Sequence, residues 1–222
     1  MLGRERALYP AFIKLKDRRC LVVGGGRVAA RKVRMLLNCG ARVCVVSPEV
    51  TEELAAWAAA GEVEWVKRGF QEGDTAGAFL AISATDDREV NARVARECTE
   101  RNILLNVVDQ PEFCNFYVPS VFRRGQLTVA ISTGGKSPLL ARRLRERLEG
   151  VFPPVFGEFL DYLGAVREEV ITRYPGTKEE LLEEIVSPQV LTCIEKNDFD
   201  RAKELVEGVL NRYRPQPPDG AG

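Results

Sequence analysis

The chain contains no histidine among its 222 residues. That absence removes the commonest metal ligand and the usual general base near neutrality, so proton or metal chemistry falls to carboxylates, thiols, lysines or tyrosines. The six cysteines (Cys20, Cys39, Cys44, Cys98, Cys114 and Cys193) include no C-x-x-C pair, and Cys20 and Cys44 lie in or beside apolar runs. They read as small buried hydrophobes rather than as bridges or zinc ligands. An excess of one charge is also missing: 32 basic residues balance 32 acidic ones, which leaves no overall electrostatic footprint for nucleic acid or an anionic membrane. No apolar run approaches the roughly 18 residues of a spanning helix, and the start, MLGRERALYPAFIKL, lacks a signal peptide's apolar stretch and cleavage site. The expectation is a cytoplasmic protein with no nucleic-acid and no membrane partner.

What is present alternates. Short β-branched runs at 20–24, 41–47, 63–66, 78–84 and 103–108 are separated by helical patterns at 27–39, from Thr51 to Gly61, and after Asp86. This is the pattern of parallel βαβ units, and it predicts an α/β fold with a Rossmann-like doubly wound sheet over residues 1–115. Asp86 followed by Glu89 has the spacing of a capping box. From Phe116, FYVPSVFRRGQLTVAIST predicts two antiparallel strands around an Arg-Arg-Gly turn, and SPLLARRLRERLEG a helix capped by Ser137 and closed by Gly150. Residues 116–150 thus form a β-hairpin and helix, 151–214 are helical, and the Pro/Gly-rich end, 215–222, is expected to be disordered.

CLVVGGGRVAARK places Gly24-x-Gly26-x-x-Ala29 directly between a strand and a helix. In that context Gly24 permits a tight turn, Gly26 lets backbone approach a pyrophosphate, and Ala29 allows close packing of helix on strand. The helix N-terminus then offers N–H groups to phosphates. The acidic residue expected at the end of the second strand is replaced by Ser47-Pro48-Glu49, where Ser47 or Glu49 can reach a ribose hydroxyl. Arg27 can meet a phosphate and keeps NADP open, but the reading is NAD.

Asp109 stands where the fifth apolar run stops, and ligands of open α/β sheets bind at the carboxyl ends of strands. It is either the cap of the turn at Asp-Gln-Pro or, in a chain without imidazole, the best-placed proton or metal handler; Cys114 is the other group that can meet a metal. A second ligand candidate is STGGKSPLLARRLRER. Its GKS imitates a P-loop, but the first glycine of that motif falls on Ala130, so Gly134 and Gly135 suggest an anion nest instead. From Tyr117 to Gly150 seven basic residues oppose two acidic ones. Nucleic acid, a polyanionic small molecule, or a solvated helix face with Leu140, Leu144 and Leu148 buried behind it each account for that bias.

The blocks FIKLKDRRCLVVGGGRVAARKVRMLL, AISATDDREVN, NVVDQPEFCNFYVPS and LTVAISTGGKSPLLARRLRERLE, in this order, resemble the precorrin-2 dehydrogenase family, the dehydrogenase/chelatase module of siroheme synthase. The resemblance implies NAD-dependent oxidation of precorrin-2 to sirohydrochlorin and, in bifunctional members, insertion of ferrous iron to give siroheme. It implies that Asp109 serves both steps, holding iron transiently in the second. It places cofactor contacts on Gly24, Gly26, Arg27, Val28, Pro48 and Glu49 with Thr85 nearby, and substrate contacts on Ser132, Thr133, Gly134, Gly135, Lys136 and Arg142, where Thr133 replaces the family's second serine. It further implies an anionic tetrapyrrole as partner and a homodimer built on the middle segment. A dehydrogenase without chelatase activity and a non-catalytic NAD-sensing domain are the rival readings.

Overall fold

A computed structural model describes residues 8–214; the Pro/Gly-rich end at 215–222 lies outside them. The chain divides into two compact units, with the boundary between Val118 and Pro119. The first runs β1 (Arg19–Val23), α1 (Arg27–Leu37), β2 (Arg42–Val46), α2 (Glu52–Ala59), β3 (Val63–Val66), β4 (Leu80–Ser83), α3 (Arg88–Glu100), β5 (Leu104–Val107) and a 3-10 turn at Pro111–Phe113. Its five strands are all parallel, in the order β3-β2-β1-β4-β5. The order reverses between β1 and β4, which opens a crevice at their carboxyl ends.

The period-two alternation of β1 explains why the sheet is covered on both sides. Cys20 and Val22 pack with Ala29, Ala30, Val33 and Leu36 of α1 and Leu54 of α2, whereas Leu21 and Val23 pack with Val94, Ala95 and Cys98 of α3. The buried cysteines belong to these layers as hydrophobes. Burial pushes the Cys20 thiol up to about 11 and that of Cys98 to about 12, so both stay protonated.

Capping departs from expectation at one helix. Thr51 caps α2 by accepting from Leu54 N, but α3 is capped by Asp87, whose Oδ1 accepts from Glu89 N at 2.9 Å and Val90 N at 3.1 Å. Glu89 thus lies too early in the helix for the capping box that Asp86 would have made.

The connection from β3 to β4 has no regular structure and is pinned by buried charge. Glu97 of α3 is 3% exposed; its carboxylate accepts from Gly73 N, from Thr75 Oγ1 at 2.5 Å and from Thr75 N at 3.4 Å. Burial alone would raise its pKa, but these donors outweigh burial and hold it below the ordinary value of 4.5. Stability from this depressed carboxylate is fully present above that ordinary value and is lost as pH falls through the lower folded-state value. Glu97→Gln is therefore expected to lower unfolding free energy by about 2 kcal/mol at neutral pH, in urea titrations whose difference from wild type shrinks in acid. A difference that stays constant with pH would contradict this account of Glu97.

The second unit contains an antiparallel hairpin, β6 (Ser120–Arg124) and β7 (Leu127–Ile131), then α4 (Pro138–Val151), α5 (Val155–Arg173), α6 (Lys178–Ile185), α7 (Pro188–Glu195) and α8 (Phe199–Tyr213). The turn is Gly125-Gln126, and the arginines expected there end β6 instead. Arg124 closes α4 by donating from Nε to Phe152 O at 2.8 Å and from Nη2 to Glu149 O at 3.2 Å. Ser137 caps that helix as expected, accepting from Leu140 N. Helices α5 to α8 enclose their own core of Phe159, Val170, Leu181, Ile194 and Val206. No helix among the described residues is long and apolar enough to cross a membrane.

Candidate functional site

The crevice between β1 and β4 is shaped by three consecutive glycines that differ in what they require. Gly24 has φ +114°, and a Cβ there would lie 2.4 Å from Ala84 O, just past β4. Gly25 is buried; a Cβ would lie 1.9 Å from Glu49 O, and its own carbonyl accepts from Thr51 N at 2.9 Å. Both are therefore demanded by the fold. Gly26 is not: its φ is −79°, and nothing stands within 4 Å of a Cβ built there. The bare backbone keeps open space at the start of α1, whose N-cap is Gly26 with no side-chain cap and no acidic residue in the first turn. Exposed N–H groups at an uncapped helix start, under a glycine open to solvent, fit a phosphate group.

Around this loop the predicted cofactor residues come together. Arg27 and Val28 are exposed on the first turn of α1, and Arg27 lines a cleft with Thr51, Glu52 and Glu53. Ala29 is fully buried against the sheet. Pro48 and Glu49 are exposed at the end of β2. Ser47 is different: it is buried, donates to Glu49 O at 2.6 Å, and its carbonyl accepts from Trp65 Nε1. Its hydroxyl proton holds the loop rather than facing a ligand. Thr85, partly exposed after β4, accepts from Asp87 N, and its carbonyl is held by Asn91 Nδ2 at 3.1 Å. Asn91, fully buried, also accepts from Ser83 Oγ at 2.6 Å.

Asp109 lies two residues beyond β5, at the same carboxyl edge. With β4 between them, β1 and β5 are separated by roughly 10 Å of sheet. Gln110 N donates to Val107 O at 3.5 Å, and Asp109 occupies the third position of this turn in the left-handed conformation, φ +58°. Turns of that shape usually place glycine or asparagine there. The carboxylate does not cap its turn: it is exposed and forms no hydrogen bond or ion pair among the described residues. Its surroundings are held by residues with no motif signal in the sequence. Asn115 Oδ1 accepts from Leu105 N at 2.7 Å and Asn115 Nδ2 donates to Ile103 O at 2.9 Å, so one side chain closes the edge of β5. Cys114 Sγ accepts from Val107 N at 3.2 Å and donates to Val107 O at 3.3 Å. Burial first of all raises its thiol pKa, and the backbone of Val107 occupies its sulfur as both donor and acceptor. Lys32 of α1, within electrostatic reach of Cys114, has its pKa lowered by burial first and by Arg31 second.

The predicted substrate residues belong to the second unit, Ser132 to Lys136 in the loop from β7 to α4 and Arg142 on α4 itself. Gly134 and Gly135 both have positive φ, but Gly134 N donates to Ser132 Oγ, Lys136 N to Thr133 O and Ser137 N to Thr133 Oγ1. Those N–H groups are thereby withdrawn from an anion nest. Thr133 supplies the hydroxyl acceptor that a serine would. Arg142 is exposed and pairs through Nε with Glu146 at 2.8 Å; Arg143 and Arg145 share the same carboxylate. The leucines expected to be buried are not: Leu140 is 51% and Leu144 39% exposed, Leu148 is only half-buried, and Ala141 alone is buried in α4.

Comparison with known proteins adds relatives to this geometry. The profile of a family described as NAD(P)-binding matches residues 11–120, and that of the sirohaem biosynthesis protein central domain matches 124–150. A siroheme synthase of Thioalkalivibrio sulfidiphilus is 44% identical over 204 residues, which span 91% of this chain and 42% of the relative. Siroheme synthase 1 of Pectobacterium atrosepticum is 45% identical over 210 residues, 93% of this chain and 44% of the relative. The chain thus spans less than half the length of the curated relatives it matches. Among solved structures, SirC, precorrin-2 dehydrogenase, superposes with a TM-score of 0.74 at 31% identity, over 92% of this chain and 100% of that one.

Proposed function

The chain belongs to the siroheme-biosynthesis family that includes the precorrin-2 dehydrogenase SirC, and on that premise we propose that it oxidises precorrin-2 to sirohydrochlorin with NAD as the acceptor. The observation that carries the reading is the carboxylate of Asp109, without a hydrogen-bond or ion-pair partner among the described residues, on the same sheet edge as a glycine loop open to phosphate. Bound NAD supplies the hydride acceptor. The chain's own residues do the rest. Gly24 and Gly26 admit the pyrophosphate to the N–H groups of α1, beside Arg27 and Val28, and the exposed Glu49 accepts from ribose hydroxyls, with Pro48, Ser47 and Thr85 shaping the walls. A carboxylate in that place disfavours the extra phosphate of NADP, which favours NAD. Asp109 takes the proton that the substrate loses together with its hydride. Lys136 and Arg142, with the hydroxyls of Ser132 and Thr133 and the backbone N–H of Gly135, meet the substrate's carboxylates, and Gly134 shapes the turn that presents them. Arg142 can do so by exchanging its solvent-exposed pair with Glu146 for a substrate anion.

Two finer statements belong to the same reading. Ferrous iron is a second substrate, and Asp109 serves its insertion by taking protons from the pyrrole nitrogens and holding the ion in transit. The chain acts as a homodimer, in which the exposed Leu139, Leu140 and Leu144 of α4 are covered by a second copy; apolar side chains in such a row otherwise remain in water at a free-energy cost. Anaerobic incubation with precorrin-2 and either NAD or NADP tests the reaction and the choice of dinucleotide together. Reduced nicotinamide is expected with NAD, and faster siroheme formation than in a protein-free control after iron is added. Bound NAD with no reduction would overturn the dehydrogenase reading, and uncatalysed metalation would remove the second step alone.

A further inference from the structure

The opposite edge of the same sheet gathers cations for which the reaction has no use. In a parallel sheet every strand starts at one edge, so residues far apart in sequence meet there. Arg18 and Arg19 enter β1, Arg42 begins β2, and Arg101 follows α3 just before β5. Together with Asp17, Phe79 and Ile103 they line a cleft of about 450 Å³, a size suited to a small molecule. Four arginines and one aspartate therefore line it, in a chain whose overall charge is zero; Arg19 is within electrostatic reach of Asp74 and Arg101 of Glu97. None of the four lies within ion-pairing distance of a carboxylate among the described residues.

Three of the four are oriented by contacts that use only part of their donor set. Arg19 Nη1 donates to Ala76 O at 2.8 Å and Asp74 O at 3.2 Å. Arg42 donates from Nε to Asp17 O at 3.0 Å. The guanidinium carbon of Arg18 lies 5.2 Å from the centre of the Phe79 ring, a cation–π contact that uses none of its N–H donors. A guanidinium has five N–H donors in a rigid fork that matches two oxygens of a phosphate or carboxylate. A multivalent anion in the cleft can take up the donors that these contacts leave over.

We infer that this cleft at the amino edge of the sheet, formed by Arg18, Arg19, Arg42 and Arg101 around Phe79, is a second ligand site, specific for a small molecule with at least two phosphate or carboxylate groups. It is separate from the glycine loop, which lies at the carboxyl ends of the same strands, and it does not depend on the proposed reaction. The test is calorimetric titration of the NAD-saturated full chain with pyrophosphate and, separately, with citrate, ionic strength being held constant with sodium chloride. Saturable binding of at least one probe is expected. It should weaken at least about tenfold in the Arg42→Gln, Arg101→Gln double variant, which removes two charge-assisted partners, while NAD affinity and the anion-free melting temperature stay at wild-type values. Binding of pyrophosphate alone assigns the site to phosphates, of citrate alone to carboxylates, and of both to multivalent charge. No saturable binding to the wild-type chain, or equal affinity in Arg101→Glu and wild type, would overturn the inference.

Discussion

Asp109→Asn is expected to lower turnover of precorrin-2 by about a hundred- to ten-thousandfold, the range over which a positioned acid or base accelerates proton transfer. Asparagine is the informative replacement because Asp109 has φ +58°, a conformation asparagine accepts and alanine adopts at a cost of about 1–2 kcal/mol. The carboxylate makes no hydrogen bond or ion pair among the described residues, so its loss leaves stability unchanged. NAD affinity should also stay at the wild-type value, since the glycine loop sits at the end of β1, two strands away. Steady-state kinetics and NAD titration on the same preparation separate these outcomes. Wild-type turnover in Asp109→Asn would remove the residue from the chemistry, and loss of NAD binding would move it into the cofactor site.

The glycine loop predicts a contrast between neighbours. Gly25→Ala places a methyl 1.9 Å from Glu49 O, and backbone on both sides must move; the expected loss of stability is about 3 kcal/mol. Gly26→Ala meets nothing within 4 Å and should lose no more than about 1 kcal/mol, the cost of alanine at a helix N-cap. Its methyl nevertheless stands in the space open to a pyrophosphate, so NAD binding is expected to weaken at least tenfold, about 1.4 kcal/mol. Thermal melting and dinucleotide titration of the two variants check both halves. If Gly26→Ala binds NAD as tightly as wild type, the start of α1 is not the phosphate site; if Gly25→Ala is as stable as wild type, the packing of the loop against Glu49 is misdescribed.

The contrast also marks what a sequence can reveal. Gly24 and Gly26 are legible because they hold the two glycine positions of a dinucleotide fingerprint placed between a strand and a helix. Gly25 fills a variable position of the same fingerprint, and its necessity arises from the carbonyl of Glu49 and the hydroxyl of Ser47, which the folded loop brings beside it. The five parallel strands and their helices are legible from local pattern: a short continuous apolar run in β1, Cys20 to Val23, and a three-to-four spacing in α1, from Ala29 through Val33 to Leu36. Adjacent aspartates are not distinguishable by pattern, so the cap of α3 falls on Asp87 rather than Asp86. Asn115 carries no signal, because a side-chain amide completing the edge of β5 is recognisable only once the strand is in place. The leucines of α4 follow a helical period that says which face is apolar, but not whether this chain or another covers it.

In the proposed reaction a dinucleotide loop and a proton-accepting carboxylate of one chain act together on precorrin-2. The most direct test is an anaerobic single-turnover experiment with the chain in excess over precorrin-2 and NAD present, following reduced nicotinamide and sirohydrochlorin in the same absorbance record. The account predicts that both rise together in equal amounts, at a rate lost in Asp109→Asn. Precorrin-2 left unchanged by a chain that holds NAD, or sirohydrochlorin formed without reduced nicotinamide, would contradict it.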